Sequence, residues 1–172
     1  MDVSIHGLNP PSEWVERYAP LIPEQGTVLD VACGAGRHMK RLSALGLKCL
    51  GIDRSEEALT HARGHGEVIC ADIEAGPWPI PGRLFDAVVV TNYLWRPLYA
   101  TLIKALKPDG VLLYETFALG QETVGKPSRP EFLLRPGELL DLAQEHDLKV
   151  VAFEDVWLDH PRRRIQRLAA TR

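Results

Sequence analysis

Three carboxylates and one loop of small residues are the parts of this chain whose types and spacing can do chemistry. Val28-Leu29-Asp30-Val31-Ala32-Cys33-Gly34-Ala35-Gly36-Arg37-His38 is an apolar strand that runs into small residues and straight on into a helix. Such a junction brings backbone N–H groups and a helix N-terminus close to a ligand, because Ala32, Gly34 and Gly36 leave little side chain in the way. Cys33 lies within the same loop. Leu50-Gly51-Ile52-Asp53 closes a second apolar run with an acid, and Cys70-Ala71-Asp72-Ile73 closes a third. Asp53 can accept from both hydroxyls of a ribose, with Arg54 beside it. Asp72 can accept from the exocyclic amine of a purine while Ile73 covers the ring. Three acids at three consecutive strand ends stand where open α/β sheets bind ligands.

Two details narrow the ligand. The dinucleotide fingerprint wants a small residue three positions after its second glycine, and here that position is Met39. Asp30 beside the loop would repel a pyrophosphate, but it suits a ligand carrying an ammonium and a sulfonium group. S-adenosylmethionine carries both.

The elements that must hold these residues alternate in kind. β-branched apolar runs are expected as strands at 27–31, 47–52, 67–70, 85–91 and 111–116. Segments of helical period lie between them. Ser12 caps a helix carrying Trp14, Val15, Tyr18 and Leu21, and Met39, Leu42 and Leu45 mark a second that stops at Gly46. Ser55 opens a third, Pro97 a fourth ending at the Pro108-Asp109-Gly110 turn, and Pro136 a fifth. Alternation of this kind implies right-handed crossovers and a parallel sheet covered on both faces. The runs 148–156 and 164–170 are separated by only a short turn, so they pair as an antiparallel hairpin.

The sequence resembles the class I S-adenosylmethionine-dependent methyltransferases along nearly its whole length. Val28 to Gly36 is similar to the family's glycine-rich first motif, Gly51-Ile52-Asp53 to its ribose-binding acid and Ala71-Asp72-Ile73 to its adenine contact. Phe85 to Val90 and Leu106 to Leu112 resemble its fourth strand and the turn into its fifth. The resemblance implies an α/β, Rossmann-like fold: a seven-stranded, mostly parallel sheet with a C-terminal antiparallel hairpin. It also implies one domain over 1–172, with an N-terminal helix segment (1–26), a cofactor-binding core (27–117) and a substrate-side loop, last helix and hairpin (118–172). The expected cofactor is S-adenosyl-L-methionine, its product S-adenosyl-L-homocysteine. Most members have glycine where this chain has Ala32, which is tolerated if that residue keeps φ below zero. Among subgroups, the small bacterial enzymes grouped with tellurite-resistance methyltransferases look most similar.

A methyl acceptor would sit beyond the fourth and fifth strands. Thr91 and Asn92 are expected at the cofactor's amino-acid end or the acceptor, and Tyr93 as a pocket wall or catalytic group, in the run Thr91-Asn92-Tyr93-Leu94-Trp95-Arg96. The two prolines of the Asn-Pro-Pro-aromatic signature of base-amine methylation are absent from it. Glu115 is the expected general base or hydrogen-bond partner. Arg96 and Phe117 are expected to contact the acceptor, and Lys126 and Arg129, in the polar loop 120–129, to bind it if it is anionic. His38 reads as a helix-end residue beside the cofactor, and His6 could close over the site from a terminus that reads as disordered.

Composition sets the outer bounds. The chain has 172 residues, 45% hydrophobic and 25% charged, with a formal charge of −3. That excludes a globally basic nucleic-acid binder. No apolar run approaches the length of a membrane span and the opening residues are not those of a secretory signal, so a cytoplasmic protein with reduced cysteines at 33, 49 and 70 is expected. No metal-ligand spacing occurs. Little sequence precedes the loop and no large insertion follows a strand, which favours a small-molecule acceptor. A tRNA or other macromolecule remains the alternative through Arg162-Arg163-Arg164 and Arg167, and a non-catalytic cofactor-binding partner subunit is a third reading. A monomer and a homodimer are both compatible with the sequence.

Overall fold

A computed structural model describes residues 9–172; His6 lies outside them. Seven strands form one sheet: β1 (Thr27–Val31), β2 (Lys48–Asp53), β3 (Glu67–Cys70), β4 (Phe85–Thr91), β5 (Leu106–Phe117), β6 (Lys149–Leu158) and β7 (Arg163–Thr171). Their order is β3-β2-β1-β4-β5-β7-β6. The first five are parallel, β7 pairs antiparallel with β5, and β6 pairs antiparallel with β7. The order reverses between β1 and β4, and that crevice is the natural ligand position in such a sheet.

Side-chain alternation along the strands produces two cores. On one face Val28, Cys49, Ala87, Val89, Val111, Leu113 and Ala169 pack under α1 (Glu13–Tyr18), α2 (Arg37–Ala44) and α3 (Glu56–Ala62). On the other, Leu29, Val31, Leu50, Ile52, Val88, Val90, Leu112, Tyr114 and Leu168 pack under α4 (Tyr99–Lys104) and α5 (Glu138–Glu145). This parity decides which way each candidate site residue points.

Two helices, α1 and α3, begin at a side-chain cap. Ser12 Oγ accepts from the N–H groups of Trp14 and Val15, and Ser55 Oγ from that of Ala58. The helices are short because prolines interrupt them: Pro20 turns the end of α1 into a 3₁₀ segment (Ala19–Leu21), and Pro97 does the same ahead of α4 (Arg96–Leu98). β5 starts five residues before its expected position, at Leu106 instead of Val111. Pro108-Asp109-Gly110 interrupts the strand without ending it, with Asp109 at φ +62°, and the pairing jumps from Phe85↔Leu106 to Ala87↔Val111.

Candidate active site

A cavity of about 960 Å³ opens at the C-terminal ends of the central strands. That is the upper end of the ~300–1,000 Å³ usual for small-molecule sites. Ala32, Cys33, Gly34, Asp53, Arg54, Asp72, Ile73, Thr91, Asn92, Tyr93, Phe117, Lys126 and Arg129 all line it. So thirteen positions from six separate segments, expected from sequence at one site, share one wall.

The loop after β1 is shaped by backbone conformation and close packing. Gly34 and Gly36 adopt positive φ, and a Cβ on Gly36 would lie 2.8 Å from that of Ala62, so the start of α2 rests on the end of α3. Gly51 on β2 leaves room for Cys33 and Met39; a Cβ there would fall 2.6 Å from Cys33 Sγ and against Met39 Sδ. Helix and sheet therefore approach through a glycine in the strand, and the third glycine of a dinucleotide loop is not needed. Ala32 has φ +54°, contrary to the expectation that alanine keeps φ below zero here. Between the strand end and the turn the chain must curl left-handed, which costs alanine roughly 1–2 kcal/mol.

Asp53 is held from both sides. Its Oδ2 accepts from the Gly34 N–H at 2.8 Å and its Oδ1 from the Ser55 N–H at 2.8 Å. Each oxygen keeps a lone pair for a further donor. Asp72 Oδ1 accepts from the N–H groups of Glu74 and Ala75 at 3.0 Å, and these bonds hold the carboxyl below its usual range. Its other oxygen has no partner among the described residues.

Asp30 does not form part of the wall. Parity turns it to the α1–α3 face, where it is 1% exposed beneath the loop and its Oδ2 finds no hydrogen-bond partner among the described residues. Burial, opposed by Arg37 and reinforced by Asp53, pushes its carboxyl up to about 7. Such a group favours a nearby cation. A ligand with a ribose to bind and a positive charge to place fits these three acids.

Three other expectations change. Glu115 shares the parity of Val111 and Leu113, so its carboxylate points to α1 and off the cavity wall. Its Oε1 accepts from Ser12 Oγ at 2.9 Å and its Oε2 lies 3.4 Å from the Arg167 guanidinium. Arg96 is consumed by the protein: it donates to both oxygens of Glu138 (2.6 and 2.9 Å), to Glu131 O and to Leu133 O. Although burial raises the Glu138 carboxyl, the Arg96 bonds and the Arg135 N–H hold it at about 2. This pair, with Glu138 buried and Arg96 half-buried, straps the segment carrying Phe132 in place. Gly36 lies just behind the wall as the N-cap of α2.

His38 and Tyr93, also at the wall, are committed to partners within the protein. His38 is 2% exposed, and burial with Arg37 pushes its imidazole down to about 3. The Ser12 N–H donates to its Nε2 at 3.0 Å, so the neutral ring carries its proton on Nδ1, facing Thr91 Oγ1 at 3.5 Å. Tyr93 donates its hydroxyl to Glu74 at 3.2 Å, and burial with the charge of Glu74 pushes the phenol up, so it stays protonated. Arg37, Glu74 and Phe132 line the cavity without having been singled out from sequence. For Arg37 the signal was present, since it follows the loop directly; for Phe132 only the fold brings it near.

The basic run near the C-terminus is not a free patch. Arg164 pairs with Asp155, Arg167 with Glu154 and Glu115, and Arg162 with Asp159. Trp14 is buried, whereas Trp157 is 40% exposed. Among the described residues no helix is long and apolar enough to cross a membrane.

Residues 28–110 match the family model described as a methyltransferase domain. YqeM of Bacillus subtilis, named as a methyltransferase, is 32% identical over 120 residues, 62% of this chain and 48% of that protein. The ubiquinone biosynthesis O-methyltransferase of Thiobacillus denitrificans is 29% identical over 124 residues, 65% of this chain and 53% of that one. The chain thus spans about half the length of these curated relatives. Among solved structures, TehB from Haemophilus influenzae superposes with a TM-score of 0.74 at 19% identity, over 93% of this chain and 61% of that one, a likeness of fold. The chain thus carries a methyltransferase-domain match over residues 28–110 on the fold of the class I S-adenosylmethionine-dependent methyltransferases.

Proposed function

We propose that the chain transfers a methyl group from S-adenosylmethionine to a small apolar or aromatic acceptor that carries a negative charge. The observation that carries this reading is the division of the large cavity into an acidic half at the tips of β2 and β3 and an aromatic, cationic half under the loop after β5. When bound, the cofactor supplies an electrophilic methyl group on a positive sulfur. Asp53 would accept from the ribose hydroxyls and Asp72 from the adenine amine, with Ile73 against the ring. Thr91 and Asn92 are left for the amino-acid end, with the charge of Asp30 beneath the loop. Tyr93, Phe117 and Phe132 would exclude water and sandwich the acceptor. Lys126 would hold its negative charge, joined by Arg129, whose exposed guanidinium also pairs with Glu131 at 2.6 Å, and the Tyr93 hydroxyl, protonated and donating to Glu74, does not serve as a base. With Glu115 turned away and His38 committed, an acceptor that ionises by itself suits the site better than one needing a base.

A macromolecular acceptor such as tRNA would call for a free basic face. Arg164 and Arg167 are spent on largely buried carboxylates and Arg162 pairs with Asp159 at the surface, which argues against that reading. The test is to incubate the purified protein and methyl-labelled cofactor with fractionated cell metabolites and, separately, with tRNA. Label is expected in an acidic small-molecule fraction. Label confined to tRNA would overturn the assignment of the acceptor.

A further inference from the structure

Between Asn9 and α1 the chain runs from the cavity to the start of α2 and to β5, beside the crevice where the strand order reverses. Asn9 stands on the cavity wall. From there to the first helix the segment is tied down three times, each time to a different side chain: Arg37 Nη1 donates to Pro10 O at 2.9 Å, the Ser12 N–H donates to His38 Nε2 at 3.0 Å, and Ser12 Oγ donates to Glu115 at 2.9 Å. The last tie has its own support, because Glu115 faces Arg167, which donates to Glu154 at 2.7 Å and lies 5.0 Å over the Trp14 ring. Ser12, His38, Glu115 and Arg167 are all less than 9% exposed. So many polar groups buried in one network cost free energy unless each has a partner, and here the partners lock the segment before α1 to the start of α2, to β5 and to β7.

We propose that residues 9–12 form a strap over the amino-acid end of the cofactor, that His38 and Glu115 are positioning residues that latch it, and that the latch sets how long the cofactor stays bound. This rests on the cofactor reading above. Asp53 and Asp72 assign the nucleoside to β2 and β3, which leaves the crevice between β1 and β4, under the strap, for the amino-acid end. Arg37 couples the two: it holds Pro10 O with one N–H while its guanidinium lines the cavity, and its other N–H groups have no partner among the described residues. A carboxylate bound there would fix the same side chain that fixes the strap.

The test combines amide hydrogen exchange on the wild-type chain with stopped-flow release of S-adenosylhomocysteine. The Ser12 amide should exchange at least tenfold more slowly with the product bound than without it. A Ser12→Ala/His38→Phe double variant should release the product at least tenfold faster, and Ser12→Thr, which keeps the hydroxyl, should restore the wild-type rate. Release within twofold of wild type in the double variant overturns the strap, as does a Ser12 amide whose exchange ignores the product. The wild-type exchange experiment decides even if the double variant does not fold. Failure of the wild-type chain to bind the product at all would instead sink the cofactor reading, so the two failures are told apart.

Discussion

Replacing Asp30 by asparagine should make the ligand-free protein more stable and the cofactor weaker-binding at once. The carboxyl is buried and lacks a partner for Oδ2, and it titrates at about 7 against an ordinary 3.8. Between those two values the folded chain keeps a proton that the unfolded chain has released. Stability from this group is therefore fully present below about pH 4, declines as pH rises through the window, and is flat above about 7. Roughly three units at about 1.4 kcal/mol each set a ceiling of about 4 kcal/mol on the loss. An asparagine side chain cannot ionise, so the Asp30→Asn variant should escape it. For a domain of this size, with roughly 2–4 °C per kcal/mol, the variant should melt on the order of 10 °C above wild type at about pH 8, with the gap closing toward about pH 4.5. Circular-dichroism melts of both proteins across that range, without cofactor, provide the assay. A gap that stays constant with pH, or a variant that melts below wild type at the alkaline end, would refute the reasoning. Calorimetry should show the opposite trend in function, with S-adenosylhomocysteine binding weakened at least tenfold, because the ammonium loses its buried counter-charge.

Gly34→Val should weaken the same ligand at least tenfold by calorimetry, since valine resists φ +55° and fills space the ligand approaches. Ala32→Gly should stabilise the fold by about 1 kcal/mol, visible as a rise of roughly 2–4 °C in melting temperature, because glycine adopts φ +54° without strain. Glu115→Gln should cost about 2 kcal/mol in urea unfolding through the lost charge opposite Arg167, while the pH profile of turnover keeps its shape; a lost limb in that profile would restore Glu115 as a base.

Strand cores were the best-read features of the sequence. β1, β3 and β4 start and stop where the apolar β-branched runs do; β1 and β4 are buried parallel strands that carry their signal in composition alone, and β3 is the half-exposed edge strand. β5 was cut short at its start, since Pro108-Asp109-Gly110 looks like a terminator and only pairing with β4 shows the chain continuing beyond it. The strand-tip acids Asp53 and Asp72 were readable because position at a strand end is fixed by sequence order. Glu115 was misjudged for a reason sequence cannot cure: adjacent strand residues face opposite sides, and which side holds α1 is a tertiary fact. Arg96 failed similarly, its partner Glu138 lying 42 residues away. The left-handed turn at Ala32 was missed because alanine carries no sign of it.

Isothermal titration of the full chain with S-adenosylhomocysteine, alongside NADH and an Asp53→Ala variant, tests the cofactor site most directly. One saturable site of micromolar affinity for the nucleoside, weakened at least tenfold in the variant and absent for NADH, is what the strand-tip acids predict. A folded wild-type protein that ignores the nucleoside at millimolar concentration, or that binds NADH in its place, would contradict it.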